Sequence, residues 1–162
     1  MKRIVLLLMI AAAALAPAAS ASEPIFIPSS PQPDFVNPLS CAFPVLVHTV
    51  VDESTVKIFS DGSVIVTGMS RERFTNLVNG KSFDSSPSGP AFFTPNPDGT
   101  TTVRLEGVHN PPLPPGFFAP GTPGILWNTA GTIVAQLDSE GNLLAVTTFR
   151  VTVLHDICAE LA

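Results

Sequence analysis

The stretch that decides the fold is ILWNTAGTIVAQLDSEGNLLAVTTFRVTVLH, residues 125–155. It consists of two strand-like runs joined by Ser139-Glu140-Gly141. A glycine at the end of a three-residue loop can adopt the left-handed conformation that closes a hairpin with a bulge. With Asp138 opposite Asn142, counting along the runs predicts these pairs: Leu137 with Leu143, Ala135 with Ala145, Ile133 with Thr147, Gly131 with Phe149, Thr129 with Val151 and Trp127 with Val153.

This register predicts a sheet with one apolar face. Opposite residues share a face, and successive residues alternate between faces. One face is therefore expected to lie in a core or line a pocket, while the other is mostly in water. The period of two and the enrichment in Thr and Val disfavour the alternative, a buried helix. The candidate core or pocket residues are Trp127, Ile133, Phe149, Val151 and Val153, and Leu137 and Leu143 continue the face toward the turn.

Similar turn chemistry recurs upstream. Asp61-Gly62 and Asp98-Gly99 each end a three-residue loop, and Asn79-Gly80 is a strong two-residue hairpin signal. The three-residue loops predict that Val56 pairs with Val66, Phe93 with Val103 and Ala91 with Leu105.

The hairpins predict an all-β fold, an antiparallel meander of about nine strands that closes into a barrel, with a β-sandwich as the alternative. No run reads as an amphipathic helix of three turns, and only Asp156–Leu161 is expected to form a terminal helical turn.

Residues 1–21 have the three parts of a secretory signal peptide. Met1-Lys2-Arg3 is a basic start, Ile4–Leu15 is apolar and uncharged, and Ala19-Ser20-Ala21 fits the small-residue cleavage rule. We expect cleavage after Ala21 and a secreted chain, extracellular or associated with the cell surface. The apolar run is too short for a comfortable membrane span and no second such run follows, so no membrane attachment is expected after removal of the leader.

The exported chain is acidic. The full sequence has 8 basic and 13 acidic residues, and loss of Lys2 and Arg3 leaves 6 and 13, which changes the formal net charge from −5 to −7. Nucleic-acid binding requires a basic patch, so nucleic acid is not an expected partner.

Two segments follow the leader. Residues 22–40 contain five prolines and predict an extended arm, and residues 41–162 are expected to form a single β-domain. Cys41 and Cys158 are the only cysteines, and in an exported chain they predict one intramolecular disulfide. The chain-entropy model gives such a bridge about 4 to 5 kcal/mol. Two free thiols are the alternative, which an oxidising compartment disfavours.

The segment NPPLPPGFFAPGTPG, residues 110–124, is the one long insertion without strand character. Its prolines make it stiff, and Phe117 and Phe118 lie at its centre. We expect both rings to point inward over one end of the β-structure, either as a plug of the core or as a lid over a pocket. A Pro-rich ligand for a partner domain is a further alternative.

Candidate chemistry is sparse. If the disulfide forms, His48 and His155 become neighbours, but two histidines with Asp156 lack the spacing of a metal motif, so no metal is expected. Ser54–Lys57 matches S-x-x-K without its companion motifs. No catalytic residue and no cofactor are assigned.

The acidic loop residues are expected to stabilise turns rather than to bind calcium, because the spacing of a calcium loop is absent. These residues are Asp61, Asp98, Asp138 and Glu140.

Three motifs carry a resemblance to known proteins: C-x-F-P-V at Cys41–Val45, T-N-L-x-x-G-K-S at Thr75–Ser82 and N-P-D-G-T at Asn96–Thr100. With them, the run from Cys41 to Cys158 resembles small exported β-domain proteins of the actinobacterial type. That resemblance implies no assigned activity and no site residues.

The sequence thus leaves the function open between two classes. The first is a non-enzymatic exported β-domain that binds a small apolar ligand or serves the cell surface. The alternative is a lipocalin-like or cyclase-like barrel enzyme with a pocket at one mouth. A polar cluster inside the barrel would favour the enzyme, and an apolar lumen open at one end would favour the binder. A filled core would favour a purely structural or interaction role.

Overall fold

The structure is a computed structural model that describes residues 23–29 and 32–162. The predicted signal peptide, residues 1–21, lies outside the described residues. The described chain forms these elements: β1 (Ile25–Pro28), β2 (Phe35–Asn37), β3 (Val45–Asp52), β4 (Thr55–Ile58), β5 (Val64–Thr67), β6 (Ser70–Asn76), β7 (Ser82–Ser85), β8 (Ala91–Pro95), β9 (Thr101–His109), β10 (Pro112–Leu113), β11 (Ile125–Leu137), β12 (Leu143–Asp156) and α1 (Ile157–Leu161).

The strands form two antiparallel sheets. The larger has the order β1-β4-β5-β8-β9-β11, and β11 also pairs with β10 and β12. The smaller has the order β2-β3-β6-β7. The predicted all-β antiparallel fold is confirmed. The pairings between described strands close neither sheet, so the barrel is not confirmed, and both the barrel and the β-sandwich stay predictions.

The Pro-rich arm contributes to both sheets. Ile25 to Pro28 pair with Ile58 to Thr55 of β4, and Phe35 to Asn37 pair with Val47 to Val45 of β3. The sequence predicted an arm outside the β-domain, whereas its described residues form edge strands. An edge strand tolerates prolines because a missing N–H on its outer side removes no ladder hydrogen bond.

The three-residue hairpins have the predicted registers, with Val56 opposite Val66 and Phe93 opposite Val103. The prediction of a two-residue loop at Asn79-Gly80 is wrong. The turn begins earlier, because the Asn76 side chain accepts a hydrogen bond from the Val78 amide at 2.8 Å. The Asn76 amide donates to the Lys81 carbonyl at 2.9 Å, which closes a four-residue loop.

The final hairpin has the predicted pairing at its turn and a different one beyond it. Leu137 lies opposite Leu143 as predicted, but Ile133 lies opposite Phe149 and Thr129 opposite Val153. β12 carries an extra residue at Leu144, Thr147 and Leu154, where the register shifts. The first two bulges together move the pairing by two residues, so the side chains in the middle of β12 keep their predicted face. The third leaves Trp127 opposite Asp156 instead of Val153.

The main core lies between the smaller sheet, the start of β11 and α1. Its buried members are Val45, Val47, Phe74, Leu126, Ile157 and Leu161. The predicted Cys41–Cys158 disulfide is confirmed, with 5.5 Å between the Cα atoms, and it packs against this core. Asn76 and Asn79 each donate a side-chain amide to the Leu161 carbonyl at 3.0 Å, which fixes the end of α1.

Candidate functional site

One face of the larger sheet is apolar across five strands. Because paired residues share a face, the registers form a row of Val66, Ala91, Leu105, Ile133 and Phe149. A parallel row consists of Val64, Phe93, Val103, Ala135 and Val146. Only Ile133 and Val103 in these rows are buried, and the others are half-buried. The face is therefore partly open to solvent.

The Pro-rich segment is held at its base and at its tip. β10 pairs with Ile125 and Leu126 of β11, which buries Leu113. Beyond β10, the Phe117 amide donates to the Pro114 carbonyl at 3.3 Å and the Gly116 amide donates to the Thr122 carbonyl at 2.9 Å. Gly116 has φ of 79°, a conformation that favours glycine. These turns hold Phe117 and Phe118 at the tip.

The two rings lie on the final hairpin. The Phe118 centroid is 5.4 Å from that of Phe149 and 6.2 Å from that of Trp127, and Phe117 meets Phe118 edge-on at 5.0 Å. Pairs of this kind contribute about 0.5 to 1.5 kcal/mol each beyond their area burial. Phe118 nevertheless remains 52% exposed. The segment thus covers part of the face that the sequence had predicted as a core or pocket.

A groove of about 460 Å³ lies between this segment and β12. We call it the aromatic groove, and the residues that line it all have apolar side chains. The walls include Pro114, Phe117 and Phe118 from the segment, and Leu144, Val146 and Phe149 from β12. Leu144 is 57% exposed at its rim. Size and lining both fall in the range of small-molecule sites, which are commonly about 300 to 1,000 Å³ and mostly hydrophobic.

The predicted face residues have different environments. Ile133 is buried, and Trp127, Phe149 and Val151 are half-buried. Val153 is 43% exposed, so its predicted place in a core or pocket is not observed. The covering rings lie over Trp127 and Phe149, and β12 is an edge strand with no neighbour beyond it among the described strands.

A second cavity, of about 320 Å³, lies where the two sheets meet. We call it the polar cavity. Ser70 and Glu72 line it from β6, His109 and Asn110 from the end of β9, and Val66 and Leu105 from the larger sheet.

A hydrogen-bonded network lies behind its wall. Asn110 donates to Glu72 Oε2 at 2.9 Å and accepts from Asn128 at 2.9 Å and from Ser85 at 3.0 Å. Asn128 also donates to Ser85 at 2.9 Å, and both of these residues are only 5% exposed. The network joins the two sheets through side chains.

His109 lines the polar cavity as a neutral imidazole at neutral pH. Burial lowers its pKa below the ordinary value of 6.5, although its hydrogen bond to Glu106 and the charge of Glu72 act in the opposite direction. Because a carbonyl can only accept, the ring donates from Nε2 to the Glu106 carbonyl at 3.0 Å. The neutral ring therefore keeps Nδ1 as an acceptor.

Sequence reasoning did not identify the polar cavity. No motif or spacing in the sequence pairs His109 or Glu72 with another functional group. The cavity residues lie on separate strands that only the tertiary fold brings together, so no local spacing marks them.

The acidic turn residues stabilise turns. Asp61, Asp98 and Asp138 each accept a backbone N–H from two residues ahead, at 2.9 to 3.0 Å. The side chains of Ser63, Thr100 and Asn142, respectively, hold the three pKa values below the ordinary 3.8. Glu140 lies in the same turn as Asp138 and makes one long contact, 3.5 Å, with Asn142.

The remaining candidates are dispersed. His48 contacts Asp34 at 2.6 Å and His155 contacts Glu160 at 3.5 Å. Among residues 23–29 and 32–162, no three His, Cys, Asp or Glu side chains are grouped to hold a metal ion. Lys57 of the S-x-x-K match lies 5.4 Å from the centre of the Phe26 ring. No helix in the described part of the chain has the length and apolarity needed to span a membrane.

Comparisons of this chain with protein-family models, with curated proteins and with solved structures found no match.

Proposed function

We propose that this chain is an exported, non-enzymatic binding domain that takes a small apolar ligand in the aromatic groove. The observation that carries the proposal is the groove itself, a cleft of about 460 Å³ lined by apolar side chains, two of which are aromatic rings on a proline-stiffened segment. A contiguous group of exposed apolar side chains on a folded protein commonly marks a binding site.

The groove also suggests the kind of ligand. Phe118 is 52% exposed and Leu144 is 57% exposed, so an apolar molecule between them would cover surface that is now hydrated. Each Å² of apolar surface removed from water contributes about 25 cal/mol to binding. A compact molecule with a flat ring suits these walls, since Phe117 and Phe149 offer ring faces and edges.

The other parts of the proposal have separate support. Export is supported by the Cys41–Cys158 bridge, a feature of proteins from oxidising compartments, and by the predicted signal peptide. The ligand site does not require a closed barrel, because the groove lies between the Pro-rich segment and β12 and not inside a barrel. The resemblance to small exported β-domain proteins implies no activity, so the proposal depends on the groove.

The experiment is a double substitution, Phe117→Ala with Phe118→Ala, assayed with the neutral dye Nile red. We expect the unchanged protein to enhance the dye's fluorescence and the variant to lose most of that enhancement. The variant should lose less than about 3 kcal/mol of unfolding free energy, because the rings are only partly buried.

The matched control is Phe26→Ala with Phe35→Ala. It removes two rings that are 60% and 51% exposed on the edge strands, away from the groove walls. This control should bind the dye as the unchanged protein does. A groove variant that loses several kcal/mol of stability and keeps its dye binding would show that the rings plug the fold, and would refute the proposal.

The polar cavity supports the second candidate, an enzyme. It contains a neutral imidazole and a carboxylate, the groups of general acid–base catalysis. However, His109 hydrogen-bonds to a backbone carbonyl, and no described side chain with a nucleophilic atom hydrogen-bonds to its ring. The binding function is therefore the better supported of the two.

A further inference from the structure

We propose that the polar cavity binds the ammonium group of a small organic amine, with Glu72 as its counter-ion. This site is separate from the aromatic groove, and the inference does not depend on the function proposed for the groove.

The Glu72 carboxylate is the group in this cavity that would hold a cation. Its side chain is half-buried in the cavity wall, and the salt bridges of the described residues do not include it. Arg73, its neighbour in sequence, is instead paired with Asp84 at 2.7 Å. A carboxylate that lines a cavity and has no cation paired with it can form a charge-assisted hydrogen bond with a cationic ligand. A cationic ligand would supply the missing partner.

The Asn110 amide has a fixed direction. An ionised carboxylate can only accept, so the amide must turn its donor, Nδ2, toward Glu72 Oε2. Its Oδ1 is then placed to accept from Asn128 and Ser85. The network holds the carboxylate by one oxygen and leaves Oε1 for a ligand.

The rest of the cavity wall also suits an organic cation. His109 adds a neutral ring whose Nδ1 can only accept, which suits a ligand with several N–H donors. Val66, Leu105 and Pro112 add apolar surface for a short hydrocarbon body. Metal ions in proteins ordinarily take more than the two strong ligands that Glu72 and His109 offer, so an organic cation is the better fit.

The experiment compares benzylamine with benzyl alcohol, which has nearly the same shape and no charge, by isothermal titration calorimetry of the full chain at pH 7.5. We expect the amine to bind at least about tenfold more tightly, as a charge-assisted hydrogen bond implies. Glu72→Gln should weaken benzylamine binding by about the same factor, because the amide oxygen still accepts from Asn110 while the charge is lost.

Two control variants locate the site. Glu140→Gln makes the same charge change in an exposed turn and should bind benzylamine as the unchanged chain does. The double variant Phe117→Ala with Phe118→Ala should also keep amine binding. If that double variant loses it, the amine binds over the aromatic rings and the inference is wrong.

Other results would also overturn it. Alcohol binding as tight as amine binding, unchanged affinity in a folded Glu72→Gln protein, or no heat of binding to the unchanged folded chain would each refute the site. If Glu72→Gln does not fold, the comparison of amine and alcohol on the unchanged chain decides the question alone. If Phe117→Ala with Phe118→Ala loses Nile red binding and keeps benzylamine binding, the two sites are independent of each other.

Discussion

At the scale of single residues, partial burial of a titratable group links stability to pH. The His109 ring is held in the wall of the polar cavity, where burial lowers its pKa below 6.5. The folded state therefore favours the neutral ring. The stabilisation from this group is present above the pKa of the unfolded chain, and it is lost as the pH falls through the lower folded pKa.

We expect the melting temperature to fall between pH 7 and pH 5, and His109→Asn to remove part of that fall. The turn carboxylates cannot cause it, since their pKa values lie below 3.8 and their contribution is lost only at lower pH. Thermal unfolding at several pH values measures the effect. A His109→Asn variant whose melting temperature falls as steeply as that of the unchanged protein would contradict the assignment.

Single residues also show what local chemistry can reveal. Asp61 and Asp98 were assigned to turns correctly, because an Asp side chain bonds to the backbone two residues ahead whatever the rest of the fold does. Glu72 and Asn128 gave no such signal. Their roles arise from neighbours more than 30 residues away in the chain.

At the scale of elements, the final hairpin depends on close contact between its strands. Gly131 has φ of 148°, and a Cβ atom placed on it would lie 2.2 Å from the Arg150 carbonyl oxygen of β12. It lies opposite Gly107 of β9, which has φ of 99°. The paired glycines let three strands bend together without side-chain conflict.

Gly131→Ala should destabilise the protein by about 3 kcal/mol or more, because a left-handed backbone conformation and a backbone clash act together. The control is Gly99→Ala, which has φ of 84° and open space around the site. This control should lower the free energy of unfolding by only about 1 to 2 kcal/mol, which is the cost of the backbone conformation alone. Urea unfolding of both variants gives the comparison. Equal losses would mean that β12 can move away from Gly131.

Elements were predictable where their signals are local. The loops at Ser60–Gly62, Pro97–Gly99 and Ser139–Gly141 fixed the registers near them. The bulges of β12 were missed, because a bulge is set by the twist of a long edge strand and has no fixed residue signature. The sequence pattern placed residues 22–40 outside the domain because prolines interrupt the pattern of a strand. An edge strand nevertheless tolerates proline.

At the scale of the whole molecule, one bridge joins the two ends of the domain. Cys41 precedes β3 and Cys158 lies in α1, and together they pack on the core with Ile157 and Leu161. In the oxidised chain, the bridge closes a loop between Cys41 and Cys158, which are 117 residues apart in the sequence. Loops of this length restrict the unfolded state strongly.

Replacing both cysteines by alanine should lower the free energy of unfolding by up to about 4 to 5 kcal/mol. Urea unfolding with and without reductant measures it. The unchanged protein under reducing conditions should approach the variant, and the variant itself should not respond to reductant. A variant as stable as the oxidised protein would mean that the packing of α1, and not the bridge, secures the ends.

The overall class was predictable and the arrangement of sheets was not. The period of two along Thr129–Val153 is enough to predict antiparallel strands, and two cysteines permit one pairing. Whether a meander closes into a barrel depends on the twist of its strands and on contacts between strands that are distant in the sequence. Those same contacts create the polar cavity between β6 of the smaller sheet and β9 and other parts of the larger sheet.

The bridge also determines how the molecule carries a mechanical load. Tension applied at Glu23 and Ala162 passes directly between Cys41 and Cys158, so the folded loop between them bears none of it. Outside that loop, β1 and β2 are edge strands, held by their pairing with β4 and β3 and by a few side-chain contacts such as Ser29 with Asp52 and Asp34 with His48, so tension would detach them first. An extended chain spans about 3.5 Å per residue, so residues 23–40 would release about 60 Å while about 400 Å stays locked inside the loop. Pulled at these two residues, the described chain is a short tether joined to a body that does not lengthen.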